Sequence, residues 1–213
     1  MKTILFIRHA ESEANAGLPT SETAKISLTS KGLLQAQLVA STFTERPSLL
    51  VTSPYIRTKD TAQPTIERFH QVNQEEWEVQ EFTYIAPFHC LNMTANQRKP
   101  LVQEFWDRLD PFYTDGEGAE SFLCFMNRVQ ATLNKIKHRQ EKFIVVFTHC
   151  RFIQAVLWIL LEQDRQVNLD QMERFRNFSF SFEVPNASIF KVNFTNENQI
   201  NMSNFIIAHL LNK

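Results

Sequence analysis

Two short runs of apolar, β-prone residues constrain this chain more than any other feature: Thr3–Ile7 near its start and Phe143–Phe147, Phe-Ile-Val-Val-Phe, far downstream. A strand with one face in water alternates polar and apolar residues. An unbroken apolar run of this length is instead a strand covered on both faces, as in a parallel sheet between helical layers. A helical pattern follows from about Lys31 to Thr44, marked by Leu33, Leu34, Leu38 and Val39. A short strand is expected at Leu49–Thr52, after which Ser53-Pro54 opens a second helix reaching about Phe69. Another strand is expected near Trp77–Glu81, with helices around Leu101–Leu109, Ala119–Arg139 and Phe152–Leu161. The last third holds β-type runs at Phe178–Val184, Ser188–Phe194 and Ile200–Phe205. Strands alternating with helices indicate an α/β fold with a mostly parallel central sheet, and the short late connections require at least one antiparallel edge strand. At 213 residues the chain is read as one domain, 1–213, with 83–117 as an excursion over one end of the fold. Its four glycines are expected where φ is positive.

Formal net charge is −1, so no global field draws nucleic acid or an anionic membrane, and any anionic ligand must be held by local cations. The cysteines, Cys90, Cys124 and Cys150, form no C-x-x-C pair, and neither a metal site nor a disulfide framework is expected. No Walker-type loop or G-x-G-x-x-G occurs, so no cofactor is expected. The apolar run before Arg8 is too short for an export signal, which makes the cytoplasm the expected location.

Two strand ends carry the chemistry. The first apolar run leads straight into Arg8-His9 and the second, through Thr148, into His149. Ligands of open α/β sheets bind beyond the carboxyl ends of parallel strands. If these strands are neighbours, one crevice receives two imidazoles and a guanidinium. Arg57, one turn into the helix after Ser53-Pro54, could join them, since the planar fork of Arg suits phosphate. Ser12 and Asn15 in the loop after His9 either donate to phosphate oxygens or form the turn. Glu81, at the end of a presumed strand, is the best-placed acid for protonating a leaving group. Cys150 beside His149 invites a thiol-nucleophile reading, but neighbours along a strand point to opposite faces.

Together these residues resemble the histidine phosphatase superfamily, the cofactor-dependent phosphoglycerate mutase-like proteins. The matching segments are RHAESEAN at 8–15, LTSKGLLQA at 28–36, TSPYIRTKDTA at 52–62 and VQEF at 79–82. They continue with EGAESFLCFMNRV at 117–129, VVFTHC at 145–150 and PNASIFKV at 185–192, so nearly the whole chain is covered. The resemblance implies a three-layer α/β/α sandwich and no metal. It implies a nucleophile, His9, in a phosphate pocket of Arg8, Arg57 and His149 with Asn15 nearby, and Glu81 as proton donor. The chain departs from the family at Ala10, where Gly is usual after the nucleophile, and at Cys150 and Arg151, where a small pair is usual. FTYIAPF stands where Trp-Glu-Gly often follows the acid. Arg151 either contacts a substrate carboxylate or second phosphate, or is a surface charge at a helix start.

The expected function is metal-independent hydrolysis of phosphate monoesters through a phosphohistidine on His9. The alternatives are a phosphoglycerate-type mutase and a non-catalytic module binding phosphate or a partner. A small phosphorylated substrate is expected, with a phosphoprotein as the other option, and the oligomeric state is not legible. Phe82, Tyr84, Phe88, His89, Phe112 and Tyr113 either cover the pocket or close a small subsidiary core.

Overall fold

In the computed structural model, which describes residues 1–162, 166–195 and 199–211, the two apolar runs lie side by side at the centre of a six-stranded sheet. In chain order the strands are β1 (Lys2–Arg8), β2 (Leu49–Thr52), β3 (Gln74–Glu76), β4 (Phe143–Thr148), β5 (Ile189–Phe194) and β6 (Ile200–Met202). Across the sheet they run β3-β2-β4-β1-β5-β6. The first four are parallel, whereas β5 is antiparallel to β1 and β6 to β5. The helices are α1 (Ser30–Ser41), α2 (Ile56–Arg68), α3 (Ala95–Arg108), α4 (Phe122–His138), α5 (Cys150–Leu161), α6 (Leu169–Phe180) and α7 (Ala208–Leu211).

Period-two geometry of the strands builds two cores. Ile4, Phe6, Leu49, Val51, Ile144 and Val146 meet Phe105 and Trp106 of α3, Phe125 of α4, Phe152 of α5 and Phe175 of α6. Their neighbours along the chain, Ile7, Leu50, Val145 and Phe147, meet Ala36 and Val39 of α1 and Ala62 of α2 on the opposite face. This is the three-layer arrangement. A one-residue slip in register would exchange the two faces, so the pairing of β1 with β4 is strongly specified. The chain leaves β1 through α1 toward β2, and leaves β4 through α5 and α6 toward β5 on the other side. Strand order therefore reverses at the β1–β4 border, where such sheets open a crevice.

Several expectations are corrected. Phe178–Val184 is not a strand: the Phe-Ser alternation belongs to the end of α6, which puts Met172, Phe175 and Ser179 on its buried side. Asn168 caps that helix by accepting from the Gln171 N–H at 2.9 Å. The edge strand lies at Gln74–Glu76 rather than Trp77–Glu81, and the latter residues form an extended connection. Leu33 and Leu34 are half exposed, and α1 buries Gly32, Ala36, Val39 and Ala40 instead. Pro54 precedes the first turn of α2, and the Ser53 hydroxyl accepts from the Tyr55 N–H at 3.2 Å. Gly32 is helical, not a positive-φ residue. It is glycine because a Cβ there would stand 2.1 Å from the Glu11 carbonyl oxygen. That close approach packs α1 against the loop after His9, whose Glu11 carbonyl accepts from the Thr29 N–H at 3.0 Å.

Candidate active site

Parallel pairing delivers both histidines to one edge. Arg8 is in register with Thr148, and the N–H of His9 extends the ladder by donating to the Thr148 carbonyl at 2.9 Å. The imidazole centroids stand 5.1 Å apart. Neither ring is more than 4% exposed. The loop after His9 is fixed from two sides: the Ala10 N–H donates to Thr61 Oγ1 at 3.0 Å, and Asn186 Nδ2 donates to the His9 carbonyl at 3.0 Å. Ala10 is not among the residues with positive φ, so replacing the usual glycine strains nothing.

The hydrogen bonds assign the tautomers. His9 Nδ1 lies 2.8 Å from the Ala10 carbonyl oxygen, which can only accept. The proton is therefore on Nδ1, and neutral His9 keeps its lone pair on Nε2. In His149 the order is reversed. Arg57 Nη2, a pure donor, lies 3.1 Å from Nδ1, which places the proton on Nε2, 2.8 Å from Ser53 Oγ. Ser53 in turn donates to Thr58 Oγ1 at 2.8 Å, because that hydroxyl donates to the Tyr55 carbonyl at 2.7 Å. Burial, then the charges of Arg57 and Arg8, hold the His9 pKa well below the ordinary imidazole value. Burial and Arg57 do the same for His149. Both rings are neutral at pH 7.

Arg57 is buried, donates to the Thr23 carbonyl at 2.7 Å and lies over the Tyr55 ring. Burial lowers its pKa to about 10, which leaves it charged at neutral pH. Arg8 donates to the Val184 carbonyl, and its buried Nε has no partner among the described residues. Glu81 reaches the crevice although its segment is not a strand. Its Oε1 accepts from the Phe82 N–H at 3.1 Å and from the Arg151 N–H at 2.9 Å, at the first turn of α5. Thr148 Oγ1 donates to the Val79 carbonyl, which ties this segment to the end of β4.

Sequence reasoning left unassigned the residues that hold Glu81 in place. Arg128 of α4 donates through Nη1 to the carbonyls of Glu78 and Gln80, each at 3.0 Å, and pairs with Glu120. Glu120 binds the Thr83 backbone twice: its Oε1 accepts the Thr83 N–H at 3.2 Å and its own N–H donates to the Thr83 carbonyl at 2.9 Å. The acid is thus clamped on both sides. No periodicity signals this, because the acceptors are backbone carbonyls 48 and 50 residues away along the chain. Ser53 was likewise visible only as a helix-start residue.

The other candidates fall in different places. Asn15 is exposed and lines the crevice, its Oδ1 accepting from Ser12 Oγ at 2.9 Å and from Asn186 Nδ2 at 3.0 Å. Ser12 is buried in that turn and does not line the crevice. Cys150 lines it, but burial raises its thiol pKa, so it is protonated at neutral pH. It is the first residue of α5, not part of a strand, so opposite-face alternation does not apply to it. Arg151 lines the crevice too. The crevice opens as a cavity of about 640 Å³ lined by Arg8 and Glu81 and walled also by Phe82, Tyr84, Ile85 and Phe180; His9, Arg57 and His149 are buried and are not among its lining residues. Phe82 and Tyr84 serve both as wall and as core, Phe82 stacking on Phe125 at 4.3 Å. Phe88, His89, Phe112 and Tyr113 do not line it; His89 pairs with Asp115, and Phe88 and Phe112 are exposed.

A neutral imidazole with an unprotonated Nε2 beside two guanidiniums can accept a phosphoryl group, and a carboxyl group that feels the charge of one of those guanidiniums, Glu81 near Arg57, can exchange a proton with a leaving oxygen. Among solved structures the fold matches phosphoserine phosphatase from Entamoeba histolytica (TM-score 0.73, 22% identity, 99% of this chain and 100% of that one). It also matches the alpha-ribazole phosphatase from Shigella flexneri (TM-score 0.73, 17% identity, 95% of each chain). A third match is a mycobacterial glucosyl-3-phosphoglycerate phosphatase (TM-score 0.70, 20% identity, 95% of this chain and 98% of that one). At these identities the likeness is one of fold. No curated protein sequence matches the chain. The family model of the histidine phosphatase superfamily (branch 1) spans residues 4–204, nearly the whole sequence, and the chain belongs to that superfamily.

Proposed function

We propose that this protein hydrolyses monoesters of small phosphorylated molecules, without a metal, through a phosphohistidine on His9. The observation that carries the proposal is the state of that ring: buried, neutral, with its Nδ1 proton committed to the Ala10 carbonyl and its Nε2 unprotonated among Arg8, Arg57 and His149. Nε2 attacks phosphorus in line with the leaving oxygen, so the N–P bond forms as the P–O bond breaks. The guanidiniums of Arg8 and Arg57 neutralise charge on the equatorial oxygens, and His149 is held beside them by Arg57 and Ser53. Glu81, in its acid form, gives its proton to the departing alkoxide. As a carboxylate it then takes a proton from the water whose oxygen attacks phosphorus, which releases phosphate and returns His9 to its neutral form.

The test is hydrolysis of an aryl phosphate by the wild-type protein and by His9→Ala, each with and without EDTA. Phosphate release by the wild type, insensitive to chelator and abolished in the variant, is expected. Retained activity in His9→Ala, or strict dependence on metal, refutes the proposal. Measuring phosphate release beside isomerisation of a phosphorylated hydroxy acid separates hydrolysis from phosphoryl transfer within one substrate.

A further inference from the structure

The cavity is much larger than a phosphoryl group and has the size of sites that enclose whole small molecules. Its lining holds Arg8, whose charge acts on His9, and two further arginines, Arg98 and Arg151. Five arginines pair with acids among the described residues: Arg108 with Glu104, Arg128 with Glu120, Arg139 with Glu75 and Glu141, Arg174 with Glu162, and Arg176 with Asp107. Arg8, Arg98 and Arg151, which line the cavity, have no carboxylate partner among the described residues.

Arg151 is the one placed to meet a leaving group. Its backbone N–H is bound by Glu81, so its side chain begins beside the proposed acid and runs from there to the end of α6. Nη1 donates to Gln154 Oε1 at 2.9 Å and to the Ser179 carbonyl at 2.8 Å, both neutral acceptors. Gln154 is itself buried and anchored to the carbonyls of Ser179 and Phe182. The guanidinium lies on the Phe180 ring, 4.4 Å from its centroid. These contacts use one nitrogen and fix the plane. The Nε–Nη2 edge, the fork that binds a carboxylate or phosphate through two parallel hydrogen bonds, makes no hydrogen bond among the described residues.

We infer that the substrate carries a second anionic group, a carboxylate or a second phosphate, on the part that leaves, and that Arg151 binds it. The inference rests on the proposed reaction at His9, since only then does the leaving group pass Glu81 into this part of the cavity. Arg151 acts in substrate binding, so its effect belongs in KM rather than in kcat.

Two matched ester series test this: phenyl phosphate, 4-carboxyphenyl phosphate and 1,4-phenylene bisphosphate, and the corresponding four-carbon aliphatic esters. The wild type is expected to favour at least one anionic ester over its uncharged parent by tenfold or more in kcat/KM. The gain should reside in KM, and the two kinds of anionic ester distinguish carboxylate from phosphate. In Arg151→Met the preference should fall below about threefold, with Arg151→Lys retaining part of it. Equal or better use of the uncharged esters in both series, or a preference that survives Arg151→Met, overturns the inference. Calorimetric binding of the matching non-hydrolysable phosphonates gives the same comparison without turnover. A failure of catalysis at His9 is thereby told apart from the absence of a second anion site.

Discussion

Two neutral histidines locked in the interior make stability depend on pH in a way that can be calculated. His9 and His149 both have pKa values well below the ordinary imidazole value, first because burial disfavours the charged ring and then because Arg57 stands against both. In the unfolded chain each titrates near 6.5. As pH falls through that value the unfolded state takes up protons that the folded state does not, so stability is present above it and is lost below it. Between pH 7.5 and 5.5 the protonated-to-neutral ratio of an unfolded imidazole rises from about one-tenth to about ten, which lowers stability by about 1.4 kcal/mol per histidine and about 2.7 kcal/mol for the pair. A loss of that size is a large part of a domain's stability of about 5–15 kcal/mol. His209, whose pKa burial also lowers, adds in the same direction. Urea unfolding at the two pH values, in the wild type and in His149→Gln, isolates one member of the pair. The variant should lose about 1.4 kcal/mol less than the wild type over this interval, whatever its stability at pH 7.5. An identical pH dependence in the two proteins would mean that the folded protein protonates His149 normally, and the tautomer assignment would fall with it.

Three further substitutions probe the supports of the site. Arg128→Met frees the carbonyls of Glu78 and Gln80 and should lower kcat/KM on an alkyl phosphate by roughly 10²-fold or more. The loss should be much smaller on a nitrophenyl phosphate, whose leaving group needs no proton; equal losses on both would assign Arg128 to folding alone. Ser53→Ala leaves the Nε2–H of His149 without its acceptor, and chemical denaturation should report a loss of about 1–3 kcal/mol, accompanied by lower kcat. Gly32→Ala drives a Cβ into the Glu11 carbonyl and should cost about 1–3 kcal/mol, read from the urea midpoint; an unchanged midpoint would show that the contact relaxes freely.

What the sequence determined was whatever depends on neighbours along the chain. Unbroken apolar runs at Thr3–Ile7 and Phe143–Phe147 specify buried strands, and strands that pass directly into Arg8-His9 and Thr148-His149 must release those side chains at their carboxyl ends. Local pattern misled where tertiary packing outweighs it. The Phe-Ser alternation near Phe178 suits a strand, yet the segment is helical because Met172 and Phe175 fill the core beneath α5 and α4. Only the tertiary structure decided which acid enters the crevice and which tautomer each histidine adopts. Both depend on partners distant in the chain: Arg128 and Glu120 around Glu81, Arg57 and Ser53 around His149. A hydrogen bond between such residues leaves no period in the sequence, because it is set by where separate elements come to rest against one another.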